Sequence, residues 1–194
     1  MRRRGKLLVG VFTTAMLVVL GCTERAAPTL PESPTAPSMS RGGQGGHHAR
    51  AAGRKHVVRG RVSVSAQIGR EGGTLVLKDE GLRVEIPRGA LPLDRGQRSI
   101  EITVTALPGA SVAYEFEPHG LVFRKPIRIV QDLRGTDLEA DDVLAGLARG
   151  AYFEGGVTDG FADLLEIRPT EVDLKHKKLH FSVEHFSGYL VAVG

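Results

Sequence analysis

The sequence predicts an all-β fold, an antiparallel β-sandwich with one short helix, and three observations carry that expectation. Short stretches in which apolar and polar side chains alternate recur from residue 57 to the end. That period of two puts one set of side chains on one face of a strand. Turn residues, above all the 25 Gly, punctuate those stretches. Only residues 136–150 carry the acid-first, base-last pattern of a helix.

Residues 1–21 read as a signal peptide. Arg2, Arg3, Arg4 and Lys6 make a positive start, and mainly apolar residues 7–20 follow. At 1.5 Å per residue that run makes about 21 Å of helix, short of the roughly 30 Å hydrocarbon core of a bilayer. A cleaved secretory segment is expected rather than a spanning helix. Val19, Leu20, Gly21 and Cys22 then resemble a bacterial lipobox. The resemblance implies that the Cys22 thiol receives a diacylglyceryl group. It also implies that the chain is cut before Cys22 and that the new amine is acylated, with palmitate the expected kind of chain. Cysteine suits this chemistry because a thiolate is a good nucleophile near neutral pH. Several acyl chains hold a protein stably at a bilayer, at about 0.8 kcal/mol per buried methylene. Thr23 stands where that family carries Asp for inner-membrane retention, so the expected location is the outer membrane. The competing reading is an ordinary secretory signal with an incidental cysteine. Cys22 is the only cysteine, so no internal disulfide is expected.

Residues 22–55 are expected to form a disordered tether. Pro28, Pro31, Pro34 and Pro37 recur every third residue, and Gly42, Gly43, Gly45 and Gly46 follow. The first group favours extended polyproline-like chain and the second a flexible one. Neither buries enough apolar surface to fold. Charge is uneven along the chain. Between Ser33 and Arg70 there are seven basic residues and no acid, whereas from Glu71 onward there are 14 basic and 20 acidic residues. Arg41, Arg50, Arg54 and Lys55, with His47 and His48, therefore allow two readings: contact with an anionic surface, or a solvated linker resting on its own acidic domain. Without Arg2, Arg3, Arg4 and Lys6 the basic and acidic counts are both 22. The high isoelectric point then argues weakly for nucleic acid, and no aromatic residues interleave with a basic patch.

Residues 56–194 are expected to form the folded domain. Residues 57–66 alternate as one half-buried strand, with Val58, Gly60, Val62, Val64 and Ala66 on one face. Residues 74–77 and 82–86 flank a turn at Lys78, Asp79, Glu80 and Gly81. Pro87 ends the second of these strands, because it lacks an N–H. Ile100, Ile102 and Val104 mark the next strand. Residues 112–117 and 124–131 flank a corner at Pro118, His119 and Gly120. In residues 136–150, Asp137, Glu139, Asp141 and Asp142 come first and Arg149 and Gly150 close, which predicts the helix. Residues 151–154, 163–168, 178–185 and 188–193 complete the strands.

Three blocks also carry a family resemblance. Residues 116–126 follow the wording F-x-P-H-G-L-x-F-x-K-P. Gly72, Gly73, Thr74 and Leu75 lead through residues 82–86 to Pro87, Arg88, Gly89, Ala90 and Leu91. His185, Phe186, Ser187, Gly188 and Tyr189 come last. Together they resemble the ZU-five domain, the β-sandwich of ankyrins, netrin receptors and the zonula occludens protein. The resemblance implies a sandwich over about residues 67–194 and a protein-recognition role. It also implies one chemical possibility, since some relatives cleave themselves before a serine in this motif. Here Ser187 would attack the Phe186 carbonyl with His185 as base, cutting between Phe186 and Ser187. His185 shares a strand face with Leu179, Phe181 and Val183, so it is expected to point into the core. The alternative is a core histidine followed by a serine at a strand bend, with no catalysis.

Other motifs are weaker. Asp173, His176 and His180 have helical spacing, yet their segment reads as strand, turn, strand, so surface histidines are expected rather than a metal site. The acids of residues 137–142 lack EF-hand spacing. Gly69 to Gly73 matches no nucleotide fingerprint, and no cofactor is expected. The leading expectation is a membrane-anchored envelope lipoprotein whose sandwich binds a protein or is structural, and which is not a turnover enzyme. A single-turnover self-cleaving domain is the second reading. A cell-wall or carbohydrate binder is the third, and the absence of Trp argues against it.

Overall fold

The computed structural model describes residues 47–138 and 146–194. The signal peptide, Cys22, Arg41 and the proline-rich part of the expected tether lie outside those residues. The described residues form fourteen strands and no helix. In chain order they are β1 (His47–Ala51), β2 (Gly53–Val58), β3 (Val62–Gly69), β4 (Gly73–Leu77), β5 (Leu82–Ile86), β6 (Ser99–Ala106) and β7 (Gly109–Ser111). Then follow β8 (Ala113–Glu117), β9 (Val122–Asp132), β10 (Ala148–Thr158), β11 (Phe161–Ile167), β12 (Thr170–Asp173), β13 (Lys178–His185) and β14 (Gly188–Val193). Every pairing between strands is antiparallel.

A seven-stranded sheet runs β1-β11-β10-β14-β8-β6-β3, and a five-stranded sheet runs β12-β13-β9-β5-β4. Between them lies the main core, because alternate residues of each strand face the opposite sheet. Ile102, Val104, Phe116, Tyr189 and Val191 come from the first sheet; Leu75, Val84, Ile127, Ile129, Leu179 and Val183 come from the second. Gly150 of β10 lies against the ring of Phe181 in this core. A Cβ there would sit 2.3 Å from that ring, so only glycine fits.

The seven-stranded sheet closes on itself at one end. β1 pairs with β11 from His47 to Arg50, and then Arg50 and Ala51 pair with Val193 and Ala192 of β14. With β10 joining β11 to β14, four strands make a ring. Its inside is a second core of Ala51, Ala151, Phe153, Ala162, Leu164, Leu190 and Ala192. Four strands enclose little space, which is why so many of these positions are alanine.

The sandwich agrees with the sequence expectation, but several boundaries do not. Residues 47–55, expected in the tether, lie in β1 and β2, because Ala49 and Ala51 fill the narrow ring without a strong apolar pattern. The strand expected over residues 57–66 is two strands. β2 ends at Val58 on β7, and β3 starts at Val62 on β6. Of the expected helix, residues 139–145 lie outside the described residues. Its last residues, from Ala148, belong to β10. At its start, Asp137 accepts from the Gly53 N–H at 2.7 Å and from Arg50 at 2.9 Å, which ties the N-terminal strands to the domain.

Candidate functional site

The three sequence blocks meet where the chain crosses between sheets. Glu117 to Leu121 carries the chain from β8 to β9, and Phe186 and Ser187 carry it back from β13 to β14. Three backbone hydrogen bonds join these corners: Gly120 N–H to the Phe186 carbonyl at 3.0 Å, Phe186 N–H to Leu121 at 2.9 Å, and Phe116 N–H to Ser187 at 3.2 Å. Gly120 has φ 73°, a left-handed conformation that favours glycine. The first block lies beside them. Arg124 N–H donates to Ala90 and Lys125 Nζ to the Arg88 carbonyl, both at 2.8 Å. Gly72, at φ 77°, has no room for a side chain, since a Cβ would lie 2.1 Å from the Ile86 carbonyl.

Phe186 is fully buried. It stacks on Phe116 at 5.3 Å and meets Phe123 edge-on at 4.7 Å. Tyr189, at the start of β14, donates its hydroxyl to the His185 carbonyl at 2.9 Å and so spans the turn. Burial pushes the Tyr189 phenol well above the ordinary tyrosine value, which keeps it a donor. Gly188 lies against Phe153, where a Cβ would come within 3.0 Å of the ring. Each member of the closing motif thus has an architectural task.

The candidate cleavage pair fits the chemistry only in part. Leu179, Phe181 and Val183 are buried as expected, but His185 is half-buried. The register between β13 and β9 shifts after Val183, from Val183↔Ile127 to His185↔Val122. Pro126 lies in the skipped segment of β9, as a proline in a central strand requires. The His185 ring consequently packs edge-on against Tyr152 at 5.3 Å, and its Nδ1 stands 3.5 Å from the Tyr189 hydroxyl. No hydrogen bond joins His185 to Ser187 among the described residues, and neither Phe186 nor Ser187 has positive φ. One feature fits acyl chemistry: the Gly120 N–H points at the Phe186 carbonyl oxygen, where charge would develop.

The most buried charged residue among those described was read from the sequence as part of the tether. Arg54, on β2, is buried with Glu80, with 2% and 5% of their side chains exposed, and Arg54 Nε stands 2.7 Å from Glu80 Oε2. Neither atom has another hydrogen-bond partner, so the ion pair alone satisfies both. The rest of the guanidinium donates to the Ser111 and Ala113 carbonyls and lies over the Tyr114 ring at 5.1 Å. Tyr114 donates to Gln131 at 2.8 Å, and burial pushes its phenol up to about 12. A cavity of about 190 Å³ opens beside the pair, lined by both signs of charge, including His56, Lys78, Asp132 and Arg134. The sequence signal for this network was slight: Arg54 stands three residues ahead of Val57 and Val58.

The remaining candidates separate. His48 packs flat on Phe161 at 5.2 Å and bonds Asp163 at 3.2 Å. Asp173 and His176 bond each other at 2.6 Å within the β12–β13 turn, and that bond holds the Asp173 carboxyl below its usual range. His180 is on β13, paired with Glu171. Among the described residues no cluster of three metal-ligating side chains forms. His119 is exposed at its corner. No family model matches this chain, and no curated protein matches it in sequence.

Proposed function

We propose that this chain is a lipid-anchored lipoprotein of a bacterial cell envelope, held at the outer membrane through Cys22. In this reading its sandwich is a ZU-five-like module that binds an envelope protein or has a structural role. The lipobox-like residues 19–22 support the anchor. The observation that carries the module reading is the closing corner: Phe186, the Ser187 backbone and Tyr189 are all engaged where the chain passes between the two sheets.

The second reading, self-cleavage between Phe186 and Ser187, is favoured by the Gly120 N–H on the Phe186 carbonyl. Intact mass spectrometry of detergent-extracted protein separates the two. The module reading expects one species that begins at an acylated Cys22 and runs through Ser187 uncut. Secreted, unmodified Cys22 would defeat the anchor. A species ending at Phe186 that disappears in Ser187→Ala would replace the module reading with cleavage.

A further inference from the structure

The seven-stranded sheet is closed at one end by β1 and open at the other. Among the described residues, no strand pairs with the outer side of β3, and only its last residue, Gly69, is bridged, by Gly72 of the following turn. The other open edges are shorter: β4 has five residues, β12 has four, two of them acidic, and in the two-stranded sheet β7 has three and β2 six, including Arg54 and Lys55. β3 has eight, and its ladder runs from Val62↔Ala106 to Gly69↔Ser99 with no bulge. It contains no charged residue and no proline. Charge, proline, bulges and short length are how proteins keep sheet edges from pairing, and β3 has none of them.

We propose that β3 is a self-association edge, at which two copies of this chain pair β3 with β3, antiparallel, about a twofold axis through Ser65. Residues directly opposite in an antiparallel pair share a face. An axis through Ser65 sets Val64 against Ala66 of the second copy and Val62 against Ile68, which continues the apolar inner face. Ser63 then meets Gln67 on the outer face. An axis between two residues would set apolar positions against polar ones. An axis at Ala66 would put Arg70 against Val62, and one at Val64 would put Ile68 against Gly60, outside the strand. This inference goes beyond the anchoring reading and is independent of it.

Sedimentation equilibrium of the full chain in detergent tests it, with a reversible monomer–dimer equilibrium expected. Ser63→Lys/Gln67→Lys sets like charges against each other at two places and should weaken the dimer about tenfold. Ser63→Glu/Gln67→Lys sets opposite charges there and should restore it. Both variants lose the same bonds to Thr105 and Ser99, so their difference reports the pairing. A native chain that stays monomeric at every concentration overturns the proposal, as does a dimer equally tight in both variants. Crosslinking reads the register without relying on stability. In a Cys22→Ser chain, Ser65→Cys should form an intermolecular disulfide on mild oxidation, because opposed Cα atoms lie within disulfide range. Ser63→Cys alone should not, and equal crosslinking at both positions would overturn the register.

Discussion

Arg54 and Glu80 form an ion pair in the interior, 2.7 Å apart, which fastens the N-terminal strands to the sandwich. Removing one partner leaves the other buried without its closest counter-charge, Glu80 keeping only half-exposed His56 at 3.3 Å. Glu80→Ala and Arg54→Ala should each destabilise the domain by about 3–5 kcal/mol, read as a lower midpoint in urea unfolding. Arg50, which pairs with Asp137 at the surface, provides the contrast. Its replacement by Ala should cost no more than about 1 kcal/mol.

The folded unit should begin near His47. A chain shortened to residues 47–194 should keep the unfolding midpoint of the full domain. One shortened to residues 56–194 loses β1, Arg54 and one side of the ring. It should lose at least the roughly 3–5 kcal/mol of the broken pair, and amide exchange should rise along β11 and the end of β14.

Alkaline pH should unfold the domain through its tyrosines. Tyr114 is pushed up to about 12 by burial, while an unfolded tyrosine ionises near 10. Above pH 10 the unfolded chain therefore holds fewer protons than the folded one. Stability present below pH 10 is lost as pH rises toward 12. Tyr114→Phe should flatten that decline, as measured by urea midpoints across the range.

The closing corner should respond unequally to its two central residues. Phe186→Ala removes a fully buried ring and should cost about 3–5 kcal/mol. Ser187→Ala should shift the midpoint by no more than about 0.5 kcal/mol, since the bond from Phe116 uses the Ser187 backbone.

Gly150→Ala should cost about 1–3 kcal/mol through its clash with Phe181. Phe181→Leu in the same chain should recover part of that loss, since the two positions share one space.

The strands that line the main core were readable because their alternation survives burial on one face: Ile102 and Val104, or Leu179, Phe181 and Val183. The corner residues were readable as motifs, though the motif gave no sign that Gly120 and Phe186 bond each other. What escaped was local and had physical causes. β1 is lined by alanines because its ring is narrow, and alanine carries little periodic signal. Val58 and Val62 share a parity, so one strand and two strands in different sheets look alike. The orientation of His185 depends on a register shift in β9, far away in sequence. Arg54 looked like one basic residue among several, because its partner Glu80 arrives through tertiary folding alone.

The ring has a consequence in time. β1 is the first strand of the domain to be synthesised, yet Arg50 and Ala51 find their partners at Val193 and Ala192. Contacts so distant in sequence form slowly, because a long loop must close before any of them is gained. A chain that emerges N-terminus first, from a ribosome or across a membrane, must carry β1 unpaired until β11 has followed, and cannot close the ring until β14 arrives. Through that interval the inner face of the short first strand remains in water, and the ring closes only when the last strand arrives.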